Sequence, residues 1–350
     1  MEDESNRVII DDKNKRKHDI ILVAVDEYIK TAQPITSGQL NLHFKDISSA
    51  TIRNELNALE SMGYFRQVHT SGGRVPTGLA YKEYVNALLD NDKLDYESIK
   101  SVISSYEDKS VSLINTLTTL AKRLSKATNC PAVLVQHGLR HLVIENIQII
   151  PLIQKDALLL VETNAGIIDD NMSLDPNVDR SACLETSDYL TKHFKGKTIE
   201  YMIDNINEVC LRAGAQMIEF KNLIDSVAGA LTQVIRTKCD VSNGNPTKLL
   251  DGLTKGEIDD TKNVFEFLED ADKVIDVIQA DRDELNFTIG EESEESKLKG
   301  GMMMSAPIVI NGVPIASLAL VGPKRIDYAN VAAALKFIVS QIDNLKGDNK

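Results

Sequence analysis

The stretch Ser48–Gly73, "SSATIRNELNALESMGYFRQVHTSGG", decides the architecture of the N-terminal part of the chain. Its first half predicts a helix, because apolar residues at helical spacing form one stripe. These residues are Ile52, Leu56 and Leu59. Ser48 or Ser49 can cap the start of that helix, and Gly63 can end it. Its second half predicts a strand, "YFRQVHT", and then a turn, "SGG".

Two further helices precede this stretch. Apolar periodicity predicts the first over Arg16–Ala32, and Pro34 follows its end, since the residue before a proline is pushed out of the helical region. Thr36 or Ser37 can cap a second, short helix. The acidic, polar start of the chain predicts a disordered arm over residues 1–14.

Three helices and a two-stranded hairpin describe a winged helix-turn-helix domain, which we predict over residues 15–90. The third helix turns its apolar stripe inward and leaves its outer face for recognition. Arg can make bidentate hydrogen bonds to guanine and Asn to adenine, whereas Ser and Thr suit phosphate oxygens. Hairpin side chains can reach neighbouring phosphates or a minor groove. The predicted DNA contacts are Ser48, Ser49, Thr51, Arg53, Asn54 and Asn57 on the helix, and Arg66, Gln67, His69 and Arg74 on the hairpin.

Charge supports an anionic partner for this domain. The formal net charge of the 350-residue chain is -13, which argues against nucleic acid coating the whole surface. From Lys13 to Lys82, however, ten Lys and Arg stand against six Asp and Glu, a local charge of +4. The alternative is a winged helix that serves as a protein-interaction adaptor. The local charge and the Arg/Asn face favour double-stranded DNA instead.

The rest of the chain predicts an α/β unit with an insertion. A polar linker is predicted over Asp90–Tyr96. Strand-like stretches follow Pro131 and return near the C-terminus, whereas residues 176–240 have helical periodicity. We therefore predict an α+β multidomain fold, in which one α/β domain in two segments, 91–175 and 241–346, is interrupted by a mainly helical insertion at 176–240.

Other features argue against whole classes of protein. The four cysteines are scattered without paired spacing, as in reduced intracellular proteins. The N-terminus is unlike a secretory signal and no apolar run approaches the length of a membrane span, so we expect a cytoplasmic protein without a membrane partner. His137 and His141 lack further metal ligands. With no catalytic arrangement and no phosphate loop, we predict no enzyme, no cofactor and no metal.

Several stretches, in one order along most of the chain, resemble the HrcA family of bacterial heat-shock transcription repressors. The resemblance is closest in the first 85 residues and weak over 176–240. The stretches are "YIKTAQPITSGQL", "ISSATIRNELNALESMGYFRQVHTSGGRVPTGLAYKEYV", "LAKRLSKATNCPAVLV", "IQIIPL", "FTIGEE" and "LVGPKRIDY".

This resemblance implies a winged-helix domain followed by a GAF-like α/β domain, with a dimerising domain inserted into it. It also implies a homodimer that binds an inverted-repeat operator upstream of chaperone operons. In the family, the chaperonin GroEL supports the active repressor, and its titration by unfolded protein during heat stress relieves repression.

Carried onto this chain, the resemblance favours Arg53 and Asn54 as operator contacts, with His69 and Arg74 on the wing. The wing departs from the family in one place: it has Gly72-Gly73 where Ser-Ala-Gly is more usual.

Two alternatives stay open at this point. The GAF-like domain of a winged-helix regulator can sense a small metabolite, because GAF-like domains often bind small molecules. The sequence offers no convergent set of polar residues for such a ligand. An enzyme is the less supported alternative, since no residues nominate its site.

Overall fold

The computed structural model describes residues 2–68, 72–90, 112–153, 155–212, 218–243, 253–279, 285–290, 298 and 300–344. Its N-terminal part, called here the head, consists of helices followed by a hairpin and a closing helix. The elements are α1 (Glu2–Thr31), α2 (Ser37–Leu40), α3 (Ser49–Ser61), β1 (Phe65–Gln67), β2 (Arg74–Pro76) and α4 (Gly78–Asp90).

The boundaries of α2 and α3 have the local causes that the sequence indicates. Thr36 and Gln39 form a capping box at the start of α2. Ser48 caps α3, where its hydroxyl accepts a hydrogen bond from the Thr51 amide at 3.1 Å. Gly63 follows α3 with a φ of 85°, a conformation that favours glycine. These predictions are confirmed.

The first helix is longer than predicted. It begins at Glu2, so residues 2–14 are helical where we expected a disordered arm. No glycine or proline interrupts the sequence between Glu2 and Thr31, so this stretch contains no strong helix breaker. The linker predicted after Asp90 lies outside the described residues.

A five-stranded sheet forms the centre of a second part, called here the body. The strand order is β7-β3-β10-β9-β8, and every neighbouring pair is antiparallel. Its elements are α5 (Leu113–Thr128), β3 (Ala132–Gln136), β7 (Lys238–Ser242), α9 (Lys255–Glu269), α10 (Ala271–Gln279), β8 (Asn286–Ile289), β9 (Gly301–Ile310), β10 (Val313–Pro323) and α11 (Tyr328–Asn344).

Helices cover both faces of this sheet, because its strands are apolar on both sides. On β9, Met302 and Met304 face the core that includes α11. Met303 faces the other core, with Val264 and Phe267 of α9. The three methionines therefore fill both cores from one strand.

The insertion between β3 and β7 differs from its prediction. Three strands that we assigned to the interrupted sheet form a separate antiparallel sheet, in the order β4-β5-β6. The helix that follows them packs on β4, so the insertion is a mixed α/β unit rather than a mainly helical segment at 176–240. Its elements are β4 (Ile144–Pro151), β5 (Asp156–Thr163), β6 (Gly166–Ser173), α6 (Arg180–Phe194), α7 (Ile199–Arg212) and α8 (Ile218–Val234).

The difference has a simple cause. Strands β4 to β6 are joined by short turns, and each pairs with its immediate neighbour in sequence. Periodicity indicates strands but does not say which sheet they join. In the body sheet, β3, immediately before the insertion, pairs with β7, immediately after it, and with β10.

Candidate nucleic-acid interface

The outer face of α3 is fixed by what its inner face buries. Ile52, Leu56 and Leu59 are fully buried in the core of the head. Because a helix repeats every 3.6 residues, the residues between them are directed outward. Ser49, Arg53 and Asn54 are exposed there, as the sequence predicted.

Arg53 and Asn54 are two exposed polar groups on this face. Both side chains are exposed, and neither has a hydrogen bond or ion pair within the part of the chain that the structure describes. Their donors and acceptors are therefore free to meet a ligand. An Arg beside an Asn on one helix provides the two bidentate groups that read guanine and adenine edges.

The three hydroxyl residues at the start of α3 have different surroundings. Ser48 is occupied in capping the helix, and its hydroxyl also lies 2.9 Å from Thr51 Oγ1. Ser49 Oγ donates to Ser37 Oγ at 3.3 Å and so links α3 to α2. The helix N-terminus itself remains a favourable place for a phosphate.

Arg74 and Asn57, both predicted as DNA contacts, are hydrogen-bonded to each other, and Asn57 remains exposed. The Arg74 side chain is only 11% exposed, and its Nε donates to Glu60 Oε2 at 2.9 Å. Its Nη2 donates to Asn57 Oδ1. The three side chains join the hairpin to the last turns of α3, and we call them the clasp. The sequence did not indicate this pairing, because only folding brings the Glu60 carboxylate close to Arg74.

The backbone beside the clasp is equally close-packed. The amide of Ile35 donates to Arg74 O, and the amide of Arg74 donates to Ile35 O, each at 2.8 Å. A Cβ on Gly73 would lie 2.6 Å from the carbonyl oxygen of Pro34. Only glycine allows this approach. The hairpin is therefore held against both α3 and the segment that precedes α2.

The other predicted DNA contacts of the hairpin are Arg66, Gln67 and His69. Arg66 and Gln67 are exposed on β1. The positive charge of Arg66 also acts on Tyr28 of α1, although burial is the main cause of that tyrosine's raised pKa. Arg66 thus lies within electrostatic reach of the end of α1. His69 lies outside the described residues.

Sequence reasoning missed three residues that build this interface. Glu60 completes the clasp, and Ser37 accepts from Ser49. Thr77 donates its hydroxyl to the carbonyls of Gly63 and Tyr64, at 2.7 and 3.0 Å, and so ties the base of the hairpin. None of these contacts follows a local spacing rule, because each joins segments that only the fold brings together.

Other chemistry finds no support among the described residues. They contain no group of three or more His, Cys, Asp or Glu side chains that could hold a metal ion. His137 Nε2 lies 3.0 Å from Ser317 Oγ, and His141 Nδ1 lies 3.7 Å from Glu200. In the same described ranges, each helix falls short of the length and apolar character needed to cross a membrane.

In the head, an exposed polar helix follows a short helix and a turn, and a hairpin braces it. Proteins use this class of surface to read DNA grooves. The HrcA protein C-terminal domain model matches residues 114–332, more than half of the chain. The chain belongs to the HrcA family.

Relatives cover nearly the full length. The heat-inducible transcription repressor HrcA of Clostridioides difficile is 29% identical over 333 residues, spanning 93% of this chain and 97% of the relative. The repressor of the same name from Acetivibrio thermocellus is 26% identical over 338 residues, spanning 94% and 95%. A crystal structure titled as a hypothetical protein shares the fold, with a TM-score of 0.67, 20% identity and coverage of 96% and 99%.

Proposed function

We propose that this protein is a heat-inducible transcription repressor that binds an inverted-repeat operator in double-stranded DNA. The observation that carries the proposal is the exposed, unpartnered Arg53–Asn54 pair on a helix whose inner face is fully buried. The names of the relatives support the repressor role, and they describe no enzyme. Repression would follow from occlusion of the promoter of a chaperone operon.

In this proposal the head is a winged helix-turn-helix. Helix α3 enters the major groove, and Arg53 and Asn54 contact base edges there. The hairpin is the wing, and Arg66, Gln67 and His69 lie near the phosphates. Arg74 and Asn57 belong to the clasp that holds the wing in place. The body is the GAF-like domain, and the inserted unit runs between β3 and β7.

We further propose that the insertion mediates a homodimer, which an inverted repeat requires. Apolar side chains are exposed near the end of β4 and on α6: Ile150, Leu152, Ile153 and Leu184, with exposures of 39, 48, 88 and 58%. The free edge of β4 is already covered, since the amides of Ile147 and Ile149 donate to Thr191 and Ser187 of α6. A partner would therefore meet side chains rather than add a strand.

Support by a GroEL-type chaperonin rests on the family resemblance alone. Chaperonin would raise the fraction of repressor that is folded and competent to bind. Its capture by unfolded proteins during heating would lower that fraction and release the operator.

Fluorescence anisotropy on a duplex carrying the family's inverted repeat tests this function. The control duplex has one half of the repeat scrambled, and both are titrated with and without chaperonin. We expect tight binding to the intact repeat alone, a steep loss of affinity with salt, and a larger active fraction with chaperonin. Equal binding of both duplexes by folded protein would contradict specific binding to the operator. An active fraction that does not change with chaperonin would contradict the proposed support by the chaperonin.

Sedimentation of Ile153→Asp tests the dimer separately. Ile153 is the most exposed of the four apolar side chains, so an aspartate there should disrupt an interface without disturbing the core. Lys155→Asp, two residues away, is the charge control. A dimeric Ile153→Asp variant would show that Ile153 does not lie in the interface.

A further inference from the structure

The segment Gly322–Tyr328, "GPKRIDY", takes no part in the nucleic-acid interface, yet it lies where the head meets the body. Three side chains of this segment and of α11 touch the head: Arg325, Tyr328 and Lys336. The operator-binding function does not by itself explain why the body should hold the head at these places.

Arg325 binds the C-terminal end of α1. Its Nε and Nη2 donate to the two carboxylate oxygens of Glu257, at 2.6 and 3.2 Å, and its Nη1 donates to Ile29 O at 3.3 Å. Ile29 lies in the last turn of α1, where carbonyls lack partners within the helix and a cation is favourable. Both members of the Arg325–Glu257 pair are mostly buried, with exposures of 14 and 13%.

Glu257 is itself held rigidly. The Thr254 amide donates to Glu257 Oε2 at 2.7 Å at the start of α9. Burial alone would raise the pKa of Glu257, but hydrogen bonds from Arg325 and Thr254 outweigh it and hold that pKa below its ordinary value. The carboxylate is therefore charged and orients the guanidinium toward α1.

Lys336 makes a similar contact with α4, the second long helix of the head. Its Nζ donates to Leu89 O at 2.6 Å, in the last turn of α4. The body thus places a cation on the C-terminal turn of α1 and another on that of α4.

Tyr328 adds an apolar contact to the two polar ones. It is 1% exposed, and its ring lies 5.6 Å from that of Tyr81 and 6.3 Å from that of Tyr84, both on α4. The ring of Phe287, on β8 of the body, lies 5.5 Å from it. Tyr84 and Phe287 meet the Tyr328 ring edge to face, and the Tyr81 ring is tilted against it by 44°; aromatic rings at these separations pack favourably.

We propose that Arg325, Lys336 and Tyr328 form a joint that fixes the orientation of the head on the body, and that this orientation sets the half-site separation the protein accepts. This proposal rests on the proposed operator-binding dimer. In such a dimer, the distance between two recognition helices depends on the body-to-body contact and on the head-to-body angle. A loosened joint would leave each head able to bind while lowering its effective concentration at the second half-site.

The test compares Arg325→Met and Lys336→Met with wild type, using the full chain. Lys336→Met leaves the Arg325–Glu257 pair intact, so it remains informative if Arg325→Met is poorly folded. Lys262→Met is the matched control, because it removes an exposed cation of α9 that is paired with Asp259. Each protein is titrated onto a duplex with one half-site and onto inverted repeats whose centre-to-centre separation changes by single base pairs.

We expect both joint variants to bind the single half-site as wild type does. Their affinity for the best repeat should fall about tenfold, and their preference among separations should flatten. Lys262→Met should match wild type throughout. An unchanged separation profile in folded joint variants would overturn the proposal, as would an equal loss on the half-site and the full repeat.

A distance measurement separates the joint from the operator function. Nitroxide side chains are introduced as non-canonical residues at the exposed positions Lys45 in the head and Glu266 in the body. Labelled chains are diluted into unlabelled ones, and pulsed EPR gives the distribution within one chain. A narrow wild-type distribution that widens at least twofold in the joint variants supports the joint even if no duplex is bound selectively. Equal widths in all proteins would overturn it.

Discussion

The outer face of α3 and the clasp beneath the hairpin contain the same residue types but differ in whether these residues have hydrogen-bond partners within the protein. On the outer face, Arg53 and Asn54 are exposed and have no partner in the described part of the chain. In the clasp, Arg74 and Asn57 are hydrogen-bonded to each other, and Arg74 also binds Glu60. An arginine whose donors are satisfied inside the protein positions other elements, whereas one whose donors are free can recognise a ligand.

The largest effect should come from the backbone beside the clasp. In Gly73→Ala the new Cβ would meet the Pro34 carbonyl at 2.6 Å, and neither backbone segment can yield without moving the hairpin. We expect a loss of about 3 kcal/mol in the free energy of unfolding. Urea unfolding measures it. Gly38→Ala is the control, since the nearest atom there is 4.0 Å away. Equal stability of the two variants would show that the approach at Gly73 is not required.

Arg74→Ala should have the next largest effect. It removes the hydrogen bond to Asn57 and leaves the partly buried Glu60 carboxylate without its cation. The expected loss in unfolding free energy is about 2 kcal/mol. DNA affinity should fall as well, because the wing loses its attachment to α3. Arg74→Ala with full stability and weakened DNA binding would instead return Arg74 to the list of direct contacts.

Glu60→Ala decides between those two roles by the sign of its effect. Removing a carboxylate near DNA strengthens binding electrostatically, so a direct DNA contact by Arg74 predicts tighter binding in this variant. The clasp predicts weaker binding, because Arg74 loses its anchor. Asp46→Ala, which removes an exposed carboxylate of the head, gives the purely electrostatic effect for comparison. Anisotropy titrations at one salt concentration are sufficient.

The clasp also shows where sequence reasoning stops. The helix α3, its cap and its end follow from Ser48, the apolar stripe and Gly63, which are all local signals. Arg53 and Asn54 follow from the same periodicity. Arg74 is 14 residues from Glu60 and 17 from Asn57, and no spacing rule connects them. The inserted unit was misassigned for the same reason, since strand pairing between distant segments is set by tertiary packing.

Arg53→Ala should weaken operator binding without affecting the fold. The side chain is exposed and unpartnered, so the free energy of unfolding should change by less than about 0.5 kcal/mol. Loss of a bidentate base contact should cost about 1.5 kcal/mol of binding, and discrimination at one base pair should relax. Titration of duplexes substituted at each position of the half-site measures both. Unchanged affinity and unchanged preference would remove Arg53 from the base-reading residues.

The smallest effects should separate Ser48 from Ser49, which the sequence could not distinguish. Ser48→Ala removes the cap of α3 and should lower the unfolding free energy by about 1 kcal/mol. Ser49→Ala removes only an exposed hydroxyl contact to Ser37, so stability should hardly change. The DNA affinity of Ser49→Ala should fall slightly if the Ser49 hydroxyl binds a phosphate in the complex. If Ser48→Ala weakens DNA binding without lowering the free energy of unfolding, the Ser48 hydroxyl contacts the DNA, and Ser48 belongs with the recognising residues rather than with the supporting ones.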